Sequence, residues 1–421
     1  MAYFRSKPED ALATPVRRRP SLDFSMTGLV YCSMMMFMGL AAINSQANLL
    51  FGVFGLMIGI LLISGVISRV MLNRLKIQRE LPENAAVGQT ATIVYQFDNQ
   101  KHFWPSLAIC TAEIDSAEAF TRQPQAYLLH AAPGMNVSVP VEVIPKRRGF
   151  YEFDRYQVST SFPFGFIKRA LDRRKPDSMV IYPPLAKVDP KLMMLFRSAE
   201  KSGATMRPRS GGQDEFYGVK EFRSGENPRW IYWRRSARTG VLVSKEMTQV
   251  APPRLLLLVD SYISSRTLKS HVAVEKVIAM AASLAAHALD QGLSVGLCAW
   301  TGVWISVPLS RGKRHRRDIL DILARLPLNT RHQPTQLMEA SQPMLESATT
   351  PVLVTPQQFE LGLGDHGRTG IVVIAAGSPQ AERWFQFDSS IDFRRCMPAD
   401  QQPMIEHQES EQWSASESFI R

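Results

Sequence analysis

Residues 214–246 read DEFYGVKEFRSGENPRWIYWRRSARTGVLVSKE, the densest run of Arg, Trp and turn residues in the chain, and their reading divides the molecule. Gly225 suits a turn, Asn227 a helix N-cap, Pro228 the first helical position and Gly240 the end. These signals predict a short helix of about three turns. On either side, FYGVKEF and VLVSKEM alternate apolar and polar residues as half-buried strands do. The expected element is strand, turn, short helix, strand. What precedes it reads as anchor and spacer.

On one helix, Trp230, Trp233 and Arg234 fall three and four apart and make an aromatic side, while Arg229, Arg235 and Arg238 project elsewhere. Two uses fit. In the first, Glu221, Arg223, Asn227, Arg229, Trp230, Trp233, Arg234, Arg235 and Arg238 form a binding segment whose guanidinium groups receive a carboxylate, a phosphate or an acidic surface. In the second, the tryptophans bury the connector and the arginines pair with Glu221, Glu226 and Glu246.

The string GVKEFRSGENPRWIYWRRSARTG, Gly218 to Gly240, resembles the signature of the domain of unknown function 58 family. That family shows a similar run of Arg, Glu, an aromatic residue, Arg, Pro and Gly, then Asp, an Arg-x-Ile-His-Trp core and an Ala-Arg-Thr-Gly ending. This chain departs from it at Glu226, where Asp is usual, and at Tyr232, where His is usual. If the family histidine does chemistry, this copy lacks it. The resemblance implies an uncharacterised protein, often encoded near MoxR-type AAA+ ATPases and other von Willebrand A proteins. An ATPase adaptor is the function it suggests.

Length and composition set the outer limits. At 421 residues the chain is long enough for two or three domains. Cys32, Cys110, Cys298 and Cys396 have no paired spacing, which argues against a disulfide framework or a zinc site. The net charge of +11 implies affinity for something anionic.

Residues 1–23 form a basic tail with Arg17, Arg18 and Arg19. Two uncharged apolar runs follow, Phe24 to Ile43 and Leu49 to Ile67, separated by NSQAN, and each is about the length of a bilayer-spanning helix. They place a transmembrane hairpin at 24–71. Basic residues crowd its outer ends, with Arg69, Arg74, Lys76 and Arg79 after the second run, so both termini are expected in the cytoplasm at the inner membrane of a bacterium. Gly52, Gly55 and Gly59 suggest where the helices approach.

Residues 72–170 change to short alternating runs, ATIVYQFDN, SLAICTAEI, AYLLHAA, NVSVPVEVIP and GFYEFDRYQVSTSF, interrupted by turns. That spacing predicts an antiparallel β-sandwich of immunoglobulin-like type. Its closing portion, with Arg147-Arg148-Gly149 and Phe162-Pro-Phe-Gly-Phe166, again resembles the family, and the two arginines read as a solvated hairpin end. A connector at 171–250 carries the strand-like SMVIYPP, the helix LMMLFRSAE, the loop GATMRPRSGGQ and the Arg/Trp segment.

Residues 251–397 alternate buried strands and amphipathic helices: RLLLLVD, HVAVEKVIAMAASLAAHALDQG, LSVGLCAW, VWISVPL, HRRDILDILARLP, QLMEASQPMLES, PVLVT and IVVIAAG. Such alternation predicts an α/β, Rossmann-type parallel sheet. The portion resembles a von Willebrand factor A domain, as the family's C-terminal part often does. Those domains hold a divalent cation through an Asp-x-Ser-x-Ser loop, a Thr and a later Asp, oxygen ligands that suit a hard cation. Here the loop is Asp260-Ser261-Tyr262-Ile263-Ser264, with Tyr262 where a Ser should stand. Thr335 is the nominated threonine, and no later Asp follows PVLVT or IVVIA. The site around Asp260, Ser264 and Thr335 is expected to be degenerate, Asp260 to cap the following turn, and no cofactor is expected.

The run Arg311 to Arg317, RGKRHRR, is expected in the loop before a helix beginning near Asp318, facing an anionic surface or simply solvated. Residues 398–421 lack a core-forming pattern. No phosphate loop, nucleophile elbow, His-Glu-x-x-His helix or Cys-His pairing is present, so an enzyme is not expected. The favoured reading is a membrane-anchored interaction module. Its partners are membrane lipid and a protein, an AAA+ ATPase or another von Willebrand A protein, with no nucleic acid partner expected. The alternatives are a binder of anionic lipid or nucleic acid through the loops around Arg207 and Arg311, and a hydrolase or transferase around Asp260 and Thr335.

Overall fold

In the computed structural model, residues 21–115, 117–203, 210–223, 227–248, 254–265, 267–345, 349–357 and 371–398 are described. Contacts divide the chain into two units. The first holds the chain up to Leu185 with Leu323–Arg325 and the segment from Phe387; the second holds Ala186–Ile322 and Leu326–Gln386.

The first unit begins with strand β1 (Ser21–Phe24) and two helices, α1 (Met26–Ser45) and α2 (Asn48–Leu72), both long and apolar enough to cross a membrane. Ser25 caps α1, accepting the Gly28 N–H at 3.0 Å. The helices meet through Gly39, where a Cβ would press on the Phe54 ring at 2.9 Å, and through the Tyr31 hydroxyl, which donates to the Met57 carbonyl. Gly52, Gly55 and Gly59, expected at that contact, have nothing near them. The end of α2 is different in kind: Ser64, Ser68, Met71 and Leu72 are buried, and Met71 and Leu72 join the core of the strands that follow.

Those strands are β2 (Leu75–Glu80), β3 (Ala85–Ala86), β4 (Ala91–Asn99), β5 (Ser106–Glu113), β6 (Gln125–Ala131), β7 (Asn136–Val143), β8 (Gly149–Thr160) and β9 (Ile167–Tyr182). They form a sheet in the order β1-β9-β8-β5-β6, with β3 on β9, and a second sheet β2-β4-β7; apart from β3 on β9, the pairings are antiparallel. Period-two alternation drives the core, as in β4, where Ala91, Ile93, Tyr95 and Phe97 are buried. SMVIYPP is thus not a separate connector strand; Ser178 to Tyr182 complete β9. Ile391, Phe393 and Cys396, expected in the α/β portion, pack into this core.

Two basic residues, one expected at the membrane flank and one at a solvated hairpin end, lie inside the first unit. Arg79, counted with the membrane flank, points inward on β2: its Nη1 donates to Glu113 Oε2 at 2.6 Å and its Nη2 to the Phe153 and Lys175 carbonyls at 2.8 and 3.0 Å. Tyr95 completes the set by donating to Glu113 Oε1 at 2.7 Å. Arg148, expected at a solvated hairpin end, is fully buried, and its backbone N–H donates to the Cys396 carbonyl at 2.9 Å. Burying a cation costs several kcal/mol unless it is paired, so such a position is decided by partners distant in sequence.

The second unit contains β10 (Lys187–Val188), α3 (Pro190–Gly203), a two-stranded ribbon of β11 (Ser210–Glu221) and β12 (Val243–Thr248), and α4 (Trp233–Thr239) between its strands. Then come β13 (Arg254–Val259), α5 (Leu268–Asp290), β14 (Ser294–Trp300), β15 (Trp304–Ser310), α6 (Lys313–Arg325, whose last three residues count with the first unit), α7 (Pro334–Ser341), β16 (Thr349–Thr355), β17 (Val372–Ala375), α8 (Pro379–Trp384) and β18 (Phe385–Gln386), which pairs with β10. The large sheet runs β15-β14-β13-β16-β17.

That sheet is mixed, not parallel as expected. β13, β14, β16 and β17 are parallel, but β15 is antiparallel to β14. The cause is the link Thr301-Gly302-Val303, too short for a parallel crossover, which needs a dozen residues or more. Leu256 and Leu258 pack with Leu337 and Met338 of α7. Leu255, Leu257 and Val259 point to the other face. The strand order reverses between β13 and β16, and in open α/β sheets the crevice at such a point, outside the carboxyl ends, is where ligands bind.

Candidate functional site

Two places in the second unit gather chemistry. The first is the Arg/Trp segment on the ribbon. Glu221 of β11 stands opposite Val243 of β12, closing the ladder. Asn227 accepts the Arg229 N–H on its side-chain oxygen at 3.1 Å and starts a single 3-10 turn, Pro228–Trp230. The chain then extends: Ile231 bridges to Ser244, and the Tyr232 N–H donates to the Val243 carbonyl at 2.8 Å. Only after that does α4 form, and Gly240 ends it in the left-handed region at φ 72°.

The expected single helix of three turns is therefore two pieces, because a β-bridge outcompetes helix continuation at Ile231. The consequence is spatial. Trp230 and Trp233 do not share a helix face, and Trp233 is 65% exposed. The anchor is instead Ile231, Ser236, Val243 and Ser244, all buried; the Ser236 hydroxyl accepts the Val243 N–H at 2.9 Å.

What the anchor presents is cationic. Arg223, Arg229, Arg234, Arg235 and Arg238 are exposed, as are Val241 and Leu242. Among the described residues none of these arginines is held in an ion pair, and the side chains of Glu226 and Glu246 lie outside them. Lys245 sits over the Tyr232 ring, 5.1 Å from its centroid. Trp233, Arg234, Arg235 and Arg238 are brought together on α4; Arg229 precedes them on the 3-10 turn, and Glu221 and Asn227 shape the frame.

The second place is the carboxyl end of the large sheet. Asp260 follows β13 directly and is buried. Its Oδ1 accepts the Tyr262 N–H at 2.9 Å and its Oδ2 the Thr355 hydroxyl at 3.0 Å. Burial pushes its carboxyl up to about 6, against the partial relief of those two bonds. The loop behind it is tied down by Asn329: the Ile263 N–H donates to the Asn329 carbonyl and the Asn329 N–H to that of Ser261. At the carboxyl end of β14, Trp300 meets Trp304 edge-on and His332 at a tilt, with Trp300 and His332 centroids 4.0 Å apart.

Asp260 thus caps its turn, as its sequence suggests. The threonine beside it is Thr355, not the nominated Thr335, which is exposed in the first turn of α7. Ser264 is exposed too. Thr355 ends β16, the strand next to β13, so a strand-order argument could have found it; proximity to Pro356 hid it. Among the described residues no three His, Cys, Asp or Glu side chains converge as a ligand set.

The basic run also moves. Helix α6 starts at Lys313, so most of RGKRHRR is helical rather than loop, consistent with the good helix propensity of Lys and Arg. Arg316 pairs with Asp290 at 2.8 Å, and His315 is buried with its Nε2 2.7 Å from the Val295 carbonyl. Arg207 lies outside the described residues.

Comparison with known proteins adds the following. Residues 218–355 match the family described as protein of unknown function DUF58, a span from the ribbon to Thr355 that takes in both places. The uncharacterized protein YeaD of Bacillus subtilis (strain 168) is 24% identical over 252 residues, 59% of this chain and 61% of its own length. This chain is therefore matched to less than two thirds of that relative.

Proposed function

We propose that this chain is a membrane-anchored interaction module whose docking element is the Arg/Trp segment, Arg229 to Leu242. The exposure of Trp233 beside four arginines that have no ion-pair partner among the described residues carries the reading. A large aromatic side chain and bidentate cations left in water are what protein interfaces use as anchors. In this reading α1 and α2 cross the bilayer, the first unit is an immunoglobulin-like sandwich and the second a von Willebrand factor A-like domain, and both termini are cytoplasmic. An acidic face of an AAA+ ATPase or of another von Willebrand A protein is the partner the chemistry suits. The test is co-purification of the full chain from detergent-solubilised membranes, followed by mass spectrometry. The expected result is a partner that wild type retains and the Arg234→Ala/Arg235→Ala variant loses. Retention of every partner by the variant would count against the proposal.

Asp260 supports a second reading, because a carboxyl with raised proton affinity at a strand-order reversal is a common catalytic arrangement. We favour a degenerate cation site there. Both carboxyl oxygens already hold hydrogen bonds, and the ligand positions Tyr262 and Ser264 contribute a ring and an exposed hydroxyl. Magnesium is expected to leave the melting temperature of the full chain unchanged. A rise that Asp260→Asn abolishes would restore the hydrolase or transferase reading.

A further inference from the structure

The strand registers of the first unit decide which loops share an end. Phe24 pairs with Ile167, so α1 leaves beside the start of β9. Ile109 pairs with Thr160, so the residues before β5 and after β8 leave together. Leu75 pairs with Asn99 and Asp98 with Asn136, which adds the exit of α2, the loop 100–105 and the turn 132–135. Every one of these segments emerges where the two apolar helices do.

That end is aromatic and exposed. Phe103 is 90% and Trp104 58% accessible, and Phe164 and Met135 are half exposed. The loops are nonetheless fixed. Buried Lys101 donates to the Met71 carbonyl at the end of α2 and to the Ser106 hydroxyl, both at 2.8 Å. Ser68 donates to the Phe162 carbonyl at 2.8 Å, Ser25 to that of Gly165, and Phe166 stacks on Tyr31 with centroids 4.2 Å apart. Any side chain at Gly28 would collide with the Phe166 backbone. Met26 and Leu29, in the first turn of α1 beside Phe166, are exposed as well.

Cations sit at the same end. Ile167 packs by Gly65, its Cδ1 3.9 Å from where a Cβ would stand. One helical turn onward is Arg69, and one strand repeat onward is Arg169, so the two run side by side. Burial and the nearby Arg69 charge both lower the proton affinity of Arg169. Among the described residues neither is held in an ion pair, nor are Arg74 and Lys168. Two adjacent guanidinium groups without a carboxylate form a receptor for a phosphate.

Lengths place the bilayer. Helix α1 spans about 30 Å, the thickness of a hydrocarbon core, and starts at the capped Ser25. Helix α2 exceeds it by its last five residues, of which Ser68, Met71 and Leu72 are buried and Arg69 is exposed. The hydrocarbon boundary therefore falls at the level of the aromatic loops, where Trp and other aromatic rings are favoured.

We propose that this end of the first unit is seated in the headgroup layer, with Phe103, Trp104 and Phe164 inserted and an anionic phospholipid phosphate held between Arg69 and Arg169. The proposal rests on the reading that α1 and α2 cross the bilayer, and not on the Arg/Trp segment. The full chain is reconstituted in vesicles of phosphatidylcholine with an equal part of phosphatidylglycerol, with brominated acyl chains as quenchers of tryptophan fluorescence. Trp104→Phe is expected to remove most of the quenchable emission. In native mass spectrometry, Arg69→Gln/Arg169→Gln is expected to lower phosphatidylglycerol retention about thirtyfold, the loss for two basic residues at a charged surface. Failure of the chain to float with vesicles would overturn both the anchoring and the seat. Flotation with quenching unchanged by Trp104→Phe, or retention unchanged in the double variant, would overturn the seat alone.

Discussion

Helix α2 has 25 residues and α5 has 23, and by length and composition either could cross a membrane, yet their surroundings are opposite. In its most apolar window α2 is 6% covered by protein, whereas α5 is 78% covered. Helix α5 packs against β13, β14 and β16, and its inner residues are small: Ala279, Ala281, Ala282, Ala285 and Ala288 are all fully buried or nearly so. Small side chains let a sheet approach closely. Helix α2 presents Leu56, Leu62, Ile63 and Val66 outward, all exposed among the described residues. A helix that is apolar all round needs an apolar solvent, and the neighbours in the chain decide whether a sheet or a lipid supplies it.

The comparison can be broken most sharply at Ala282. Ala282→Arg places an unpaired charge in a fully covered site, so the second unit is expected to lose more than about 4 kcal/mol and to become protease-sensitive. A variant that stays folded would mean α5 is not enclosed. The same change on α2 has another readout. Leu56→Arg, on an exposed position near mid-helix, is expected to leave the β-sheets folded while costing about 2.5–3.5 kcal/mol of insertion. Alkaline extraction of membranes measures it, and full retention of the variant in the membrane fraction would remove α2 from the bilayer.

A titration sharpens the contrast, since the α/β sheet holds a buried carboxyl whereas α1 and α2 carry no Asp or Glu. The folded-state proton affinity of Asp260 is raised, from 3.8 to about 6. Between those values the folded state binds the extra proton, so stability is gained as pH falls through 6, is fully present below 3.8 and is lost again as pH rises. The gain is at most about 3 kcal/mol. Asp260→Asn imitates the neutral acid and is expected to flatten the curve and to be more stable than wild type at pH 7. Chemical denaturation at both ends of the range decides it. The smallest effect is at the start of α5, where Thr267 accepts the Ser270 N–H at 3.3 Å. Thr267→Ala is expected to cost about 1 kcal/mol, read as a shifted denaturation midpoint.

Much of this architecture was legible in local pattern. The two apolar runs gave α1 and α2, and alternation in ATIVYQFDN and SLAICTAEI gave β4 and β5. RLLLLVD followed by a long helix gave β13 and α5. What escaped was set by partners far away in sequence. The Ile231 bridge to Ser244 cut a helix that every local cap signal favoured. Arg79 looked like a membrane flank until Glu113, 34 positions away, took its charge. Thr355 found Asp260 across 95 residues. The last residues of α2 read as part of an apolar span, although Met71 and Leu72 belong to the core of the strands that follow.

The most direct test uses a lipid-soluble carbene precursor, photolysed in vesicles carrying the full chain, with the modified peptides located by mass spectrometry. The account predicts adducts on Met26–Ser45 and on Asn48–Ile63 and none on Leu268–Asp290. Adducts on the last helix, or none on the first two, would contradict it.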